Sequence, residues 1–128
     1  MKNNLNLHAA SRVINRRKLG AEKELLAAEY LKANGYQILE QNYFTRSGEI
    51  DLIAKESGYL VFLEVKYRKD TVTGHPEEAV TYQKQQRIIR AARYYMLTHG
   101  FGEYTPCRFD VVAITGEKVR VIKNAFGI

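Results

Sequence analysis

Two runs, Gly48-Glu49-Ile50-Asp51-Leu52-Ile53-Ala54 and Tyr59-Leu60-Val61-Phe62-Leu63-Glu64-Val65-Lys66, constrain this chain most, because both are apolar enough to be buried and yet carry ionisable groups. Turn residues bound them, Ser47-Gly48 before and Lys55-Glu56-Ser57-Gly58 between, so the pair is predicted to be a β-hairpin. Strand side chains alternate with a period of two, which sets Tyr59, Val61, Leu63 and Val65 on one face and Leu60, Phe62, Glu64 and Lys66 on the other. Glu64 and Lys66 therefore leave a covered face at its rim. By the same count Glu49 and Asp51 share a side of the preceding strand.

The remaining elements follow in order. Residues 1–17 are rich in Asn, Arg and Ser with little periodicity and read as a basic N-terminal arm, mobile or loosely helical. A helix is predicted from about Lys18 to Asn34, stopped by Gly35. Gly20, Ala21, Ala27, Ala28 and Leu31 fall on one side of it with Glu24 in their middle, which suits close approach to a sheet with one carboxylate facing in. Tyr36 to about Tyr43 reads as a strand, Asn42 to Ser47 as the loop into the hairpin, and Tyr67 to His75 as a polar loop. Pro76, with Glu77 and Glu78, suits the first turn of a long helix ending near Thr98. Its buried arc is Val80, Ile88, Ala91, Ala92 and Tyr95, and Lys84 lies inside that arc, so its ammonium is expected to reach for an anion. Arg108 to Thr115 and Lys118 to Ile122 are the last strands. Helix, three strands, helix, two strands is the order of an α/β sandwich on a mixed sheet, expected here as one domain over 18–128.

Length and composition agree with that expectation. With 128 residues, 45% of them hydrophobic, the chain suits one compact domain. No apolar run approaches the roughly 20 residues that cross a bilayer, so no membrane association and a cytoplasmic location are expected. Cys107 has no second cysteine to pair with and reads as a small buried residue, while His8, His75 and His99 lack metal-ligand spacing. The formal charge of +6 is concentrated in Arg12, Arg16, Arg17 and Lys18, in Arg68-Lys69, and in Arg87, Arg90 and Arg93. Clusters of that kind favour a polyanion such as nucleic acid.

If Glu24, Asp51 and Glu64 converge at one end of the sheet, their chemistry is narrow. Two carboxylates about 4 Å apart repel by roughly 4 kcal/mol at an effective dielectric near 20, so the cluster requires a cation or a shared proton. Carboxylate oxygens favour Mg²⁺ or Mn²⁺ over zinc, and such ions take their remaining ligands from water and substrate phosphate. Lys66 then stands two residues from Glu64 on one face, able to orient a water or to neutralise charge on a phosphodiester in its transition state, and Lys84 offers a second positive charge. Plainer readings exist for each. Asp51 suits the solvent face of a hairpin, Glu64 with Lys66 an exposed ion pair, Glu24 and Lys84 ordinary helix-border charges, and Glu49 a turn residue more readily than a site partner. Asp110, inside a strand, reads as a structural partner for a neighbouring Arg or Lys.

The blocks Gly48-Glu49-Ile50-Asp51-Leu52-Ile53-Ala54 and Phe62-Leu63-Glu64-Val65-Lys66-Tyr67-Arg68 resemble the YraN family of uncharacterised bacterial proteins, itself similar to the Holliday-junction resolvases of the PD-(D/E)xK nuclease superfamily. The likeness extends from Gly20 to Ile122 and takes in Glu24 with Ala27, Tyr30 and Leu31, the Asn42 position, Lys84, and Arg108-Phe109-Asp110-Val111-Val112. Lys23, where that family often has glycine, and the arm before Gly20 depart from it. The resemblance implies a restriction-endonuclease-like sandwich, a central mixed β-sheet flanked by helices. It also implies Glu24, Asp51 and Glu64 as ligands of Mg²⁺ or Mn²⁺, with Lys66 as the catalytic lysine and Lys84 as an accessory basic group. The activity it implies is metal-dependent endonucleolytic hydrolysis of DNA, branched or otherwise structured, with a homodimer as one arrangement that spaces two sites on a junction. Tyr94 and Tyr104 are the aromatics available for such a contact. The alternative is a module that kept the nuclease fold and binds or assembles on nucleic acid without cleaving it.

Overall fold

The computed structural model describes residues 3–69 and 80–127, with side chains from residue 18 onward. Its elements are α1 (Asn3–Ala33), β1 (Gln37–Phe44), β2 (Glu49–Glu56), β3 (Tyr59–Arg68), α2 (Tyr82–Thr98), β4 (Cys107–Thr115) and β5 (Lys118–Phe126). Among the described residues the five strands form one sheet in sequence order, antiparallel except for the parallel pair β3–β4. A parallel neighbour cannot be reached by a tight turn, and α2 supplies the crossover. This is the α/β sandwich that the order of elements implied, consistent with the restriction-endonuclease-like form that the resemblance implied.

Alternation along β3 sorts the core into two layers. Leu60 and Phe62 point to the side where Ile88, Ile89, Ala91, Ala92 and Tyr95 of α2 pack. Val61 and Leu63 point to the opposite side, against Ala27, Ala28 and Leu31 of α1. Tyr95 holds the α2 layer together through edge-on contacts to Tyr43 and Phe62, with ring centroids 5.2 and 6.0 Å away. Of the small residues expected to face the sheet, Ala27 and Ala28 are fully buried, but Gly20 and Ala21 are exposed. The helix approaches the sheet only from about Lys23 on.

Several boundaries differ from expectation. The first helix begins at Asn3, so the backbone of residues 3–17 continues α1. β1 extends through Asn42 to Phe44, and β5 continues past Ile122 to Phe126. The long helix starts at Tyr82 rather than at Pro76, because Thr81 is extended (φ −66°, ψ 161°) and its hydroxyl accepts the Lys84 amide as an N-cap. Val80 is buried but precedes that helix, while Pro76, Glu77 and Glu78 lie outside the described residues. Cys107 is half-buried as the first residue of β4.

A second polar cluster is fully satisfied. The buried Asp110 carboxylate accepts from the Tyr36 hydroxyl (2.9 Å), from Arg108 Nε (2.8 Å) and Nη2 (2.9 Å), and from the Asn124 amide (2.9 Å). Arg108 also reaches Glu56 at 2.7 Å. These bonds push the Tyr36 hydroxyl up, by burial and by the neighbouring Asp110, and hold Glu56 down at about 2, through Ser57 and Arg108. With each lone pair answered from nearby, the cluster is the structural partnership expected of Asp110.

Candidate metal centre

Paired register between β2 and β3 runs from Glu56↔Tyr59 to Leu52↔Leu63, and the site begins where it ends. Within β2 the alternation breaks there: Ile50 packs with the α2 layer, and Leu52, two residues on, packs with the α1 layer. Opposite this break, between the pairs Gln41↔Leu52 and Tyr43↔Ile50, Asn42 of β1 adopts a left-handed φ of 52°, which asparagine tolerates better than most residues. Asp51 thus sits where its strand changes face. Its Oδ2 accepts the Val65 amide at 2.8 Å, a side chain standing in for the ladder bond that the parting strands no longer make.

Side chains from both faces of the sheet meet in this opening. Glu24 comes from α1, Glu49 and Asp51 come from β2, and one carboxylate oxygen of each lies within 4.8 Å of the others. Glu64, from the α2 face of β3, is only 4% exposed. Its Oε1 lies 3.5 Å from the ammonium groups of both Lys66 and Lys84. The other oxygen, Oε2, is buried with no hydrogen-bond partner. A buried carboxylate oxygen left unanswered is costly, and it is the kind of atom a cation satisfies.

The titration behaviour of the cluster reflects this crowding. Burial, then the Glu64 charge, push Asp51 up to about 8 against the opposing pull of its Val65 hydrogen bond, with Glu49 and Glu24 adding to the rise. Glu49 is also raised, first by burial and next by Glu24, while Lys84 pulls it down. At neutral pH, without a cation, the group holds on to a proton.

The structure brings the five expected residues together. Glu24 and Asp51 share one subgroup, and Glu64, Lys66 and Lys84 form an adjoining one, coupled to it through the Glu64–Asp51 repulsion. Glu49 is the residue that the sequence offered more readily as a turn residue than as a site partner. It is instead the first residue of β2, with its carboxylate in the cluster. The available signal was its spacing of two from Asp51, outweighed by the turn residues beside it. Gly48 eases the placement: a β-carbon there would lie 3.0 Å from Arg87 Cβ, a tight contact that would need Arg87 to give by a few tenths of an ångström. Lys23, the departure next to Glu24, places its ammonium 4.5 Å from the centre of the Tyr67 ring and 3.2 Å from the Gly116 carbonyl, tying α1 to the sheet.

Fold and site together define a class: restriction-endonuclease-like α/β domains with a carboxylate and lysine cluster where the central strands part. The profile of the uncharacterised protein family UPF0102 matches residues 23–114, a span that includes every one of the clustered residues. A UPF0102 protein of Lachnoclostridium phytofermentans is 56% identical over 113 residues, covering 88% of this chain and 96% of its own. Others from Thermodesulfovibrio yellowstonii and Legionella pneumophila (strain Corby) are 49% and 45% identical, each over 84% of this chain. The chain belongs to the UPF0102 family. No helix among the described residues is long and apolar enough to cross a membrane.

Proposed function

We propose that the protein is a metal-dependent endonuclease that hydrolyses phosphodiester bonds in DNA, branched or otherwise structured DNA being the substrate its resemblance to resolvases implies. The observation that carries the reading is the unpartnered, buried Oε2 of Glu64, whose charge helps to push the neighbouring Asp51 up. The donor set fits Mg²⁺ or Mn²⁺, since it is all carboxylate oxygen, hard and anionic. Glu24, Asp51 and Glu64 would hold the ion, with Glu49 as a further carboxylate beside Glu24 and Asp51. When bound, the ion supplies Lewis acidity to a phosphate oxygen and acidifies a water.

The chain's own groups divide the remaining work. Val65's amide fixes the Asp51 carboxylate through Oδ2, and one oxygen of that carboxylate lies within 4.8 Å of Glu24 and Glu49. Lys66 and Lys84 both face Glu64 Oε1, which holds two ammonium groups at the mouth of the site. Lys66, on the sheet, is suited to orient a water or to meet the charge that develops on the phosphate. Lys84, in the first turn of α2, is suited to bind the phosphate in the ground state.

Cleavage of four-way, single-stranded and duplex DNA, with Mg²⁺ or Mn²⁺ added, tests this. We expect divalent-dependent products from the wild type, and loss of at least about a hundredfold in rate for Asp51→Asn and Lys66→Ala with the fold intact. Absence of cleavage on every substrate, combined with salt-sensitive DNA binding that both variants retain, would overturn hydrolysis and leave a non-catalytic binding module.

A further inference from the structure

A groove of about 560 Å³ opens over the turn that joins β1 to β2, lined by Phe44, Thr45, Arg46, Ser47 and Tyr94. Its two aromatic rings are left in water: Phe44 is 70% and Tyr94 55% exposed. Phe44 is the last residue of β1 and pairs directly with Glu49, one of the clustered carboxylates. The floor is stiff. Thr45's hydroxyl oxygen accepts the Ser47 and Gly48 amides, both at 3.1 Å, and its backbone amide donates to the Gly48 carbonyl at 2.8 Å. Arg46 in the lining, and Arg87 and Arg90 on the neighbouring turns of α2, are all exposed.

We propose that this groove seats one unpaired nucleobase, stacked on Phe44 and Tyr94, with Arg46 on the adjoining phosphate. Flat apolar rings accept the π-face of any base, and the guanidinium groups match a phosphate backbone. The volume lies in the range of pockets that take a group of small-molecule size. A second copy of this chain is the poorer occupant, because a two-fold contact centred here would bring Arg46, Arg87 and Arg90 up against their own counterparts. The register Phe44↔Glu49 then sets the meaning of the groove. The base it holds is a near neighbour of the phosphate presented to the carboxylates, so the substrate carries unpaired nucleotides at the cleavage point, as single strands and branch points do. This deepens the nuclease reading and rests on it for the cleavage point, although the stacking itself does not.

The test uses the full chain in chelator, so that hydrolysis plays no part. Short single-stranded DNA and RNA, each with one fluorescent 2-aminopurine base, are titrated alongside the same sequence as a duplex. Stacking predicts quenching with the single strands, weaker binding of the duplex, and a loss of about tenfold or more in affinity for Phe44→Ala or Tyr94→Ala. Phe44→Trp should restore affinity, which a purely structural role for the ring would not require. Alanine variants that bind and quench like the wild type overturn the proposal, as does a change of oligomeric state in Phe44→Ala with no change in binding. Quenching without cleavage by the metal-loaded wild type sinks the nuclease reading alone. Cleavage of single-stranded or branched DNA that the groove variants leave unchanged, with unchanged binding, sinks the groove alone.

Discussion

Asp51 is held by one hydrogen bond and pressed by three like charges, and the balance makes it a sensitive reporter. Its folded pKa of about 8 lies above the unfolded value, so between about pH 4 and 8 the folded state carries a proton that the unfolded chain has released. Stability contributed by this group is therefore present below about pH 4 and lost as pH rises through 8. Asn at this position accepts the same Val65 amide and never ionises. In the absence of divalent ions, the melting temperature of Asp51→Asn should exceed that of the wild type by a margin that widens from pH 5 to pH 8, followed by circular dichroism. A margin that stays constant would mean that Asp51 ionises freely and that the crowding is not felt. Glu49 shows what sequence reading misses at this level. A carboxylate two residues from another is visible in the chain, but its neighbours Ser47 and Gly48 are turn formers, and the strand begins immediately after them.

The hairpin and the two helices were largely legible, because each carries one strong periodic signal. Alternation in β3 placed Leu60, Phe62, Glu64 and Lys66 on one face, and the position of Lys84 within the buried arc of α2 aimed it at an anion, which is Glu64. What was not legible came from interactions between elements. The break in β2 at Asp51 depends on a left-handed Asn42 in the adjacent strand, which no local pattern in β2 announces. The late start of α2 is a matter of capping: Thr81 offers a hydroxyl to the Lys84 amide, a stronger local stop than the proline upstream suggested. At the other end of β2, the Arg108–Asp110–Glu56 cluster locks the sheet without touching the site. Arg108→Ala strands the fully buried Asp110 charge and should cost about 3–5 kcal/mol of unfolding free energy in urea. Metal binding by the folded fraction should be unchanged. A cost under about 1 kcal/mol would show that the network is peripheral to stability.

Taken together, the domain uses the sheet as a wall that opens at one end. Helix α1 covers one face and α2 the other, and only beyond the last β2–β3 pair can groups from both faces reach each other. That is why Glu24 and Lys84, carried on opposite sides, serve one site. The chain carries a formal net charge of +6 while this opening gathers four carboxylates, so under the proposed function a phosphodiester approaches them only once a cation intervenes. Calorimetric titration of Mn²⁺ into the metal-free protein at pH 7, in two buffers of different ionisation enthalpy, probes that dependence. The carboxylate cluster predicts binding with release of up to about one proton, as Asp51 gives up its own, and binding at least about tenfold weaker in Asp51→Asn. Heats that are absent, or identical in the wild type and the variant with no proton released, would mean that these carboxylates do not gather around a metal.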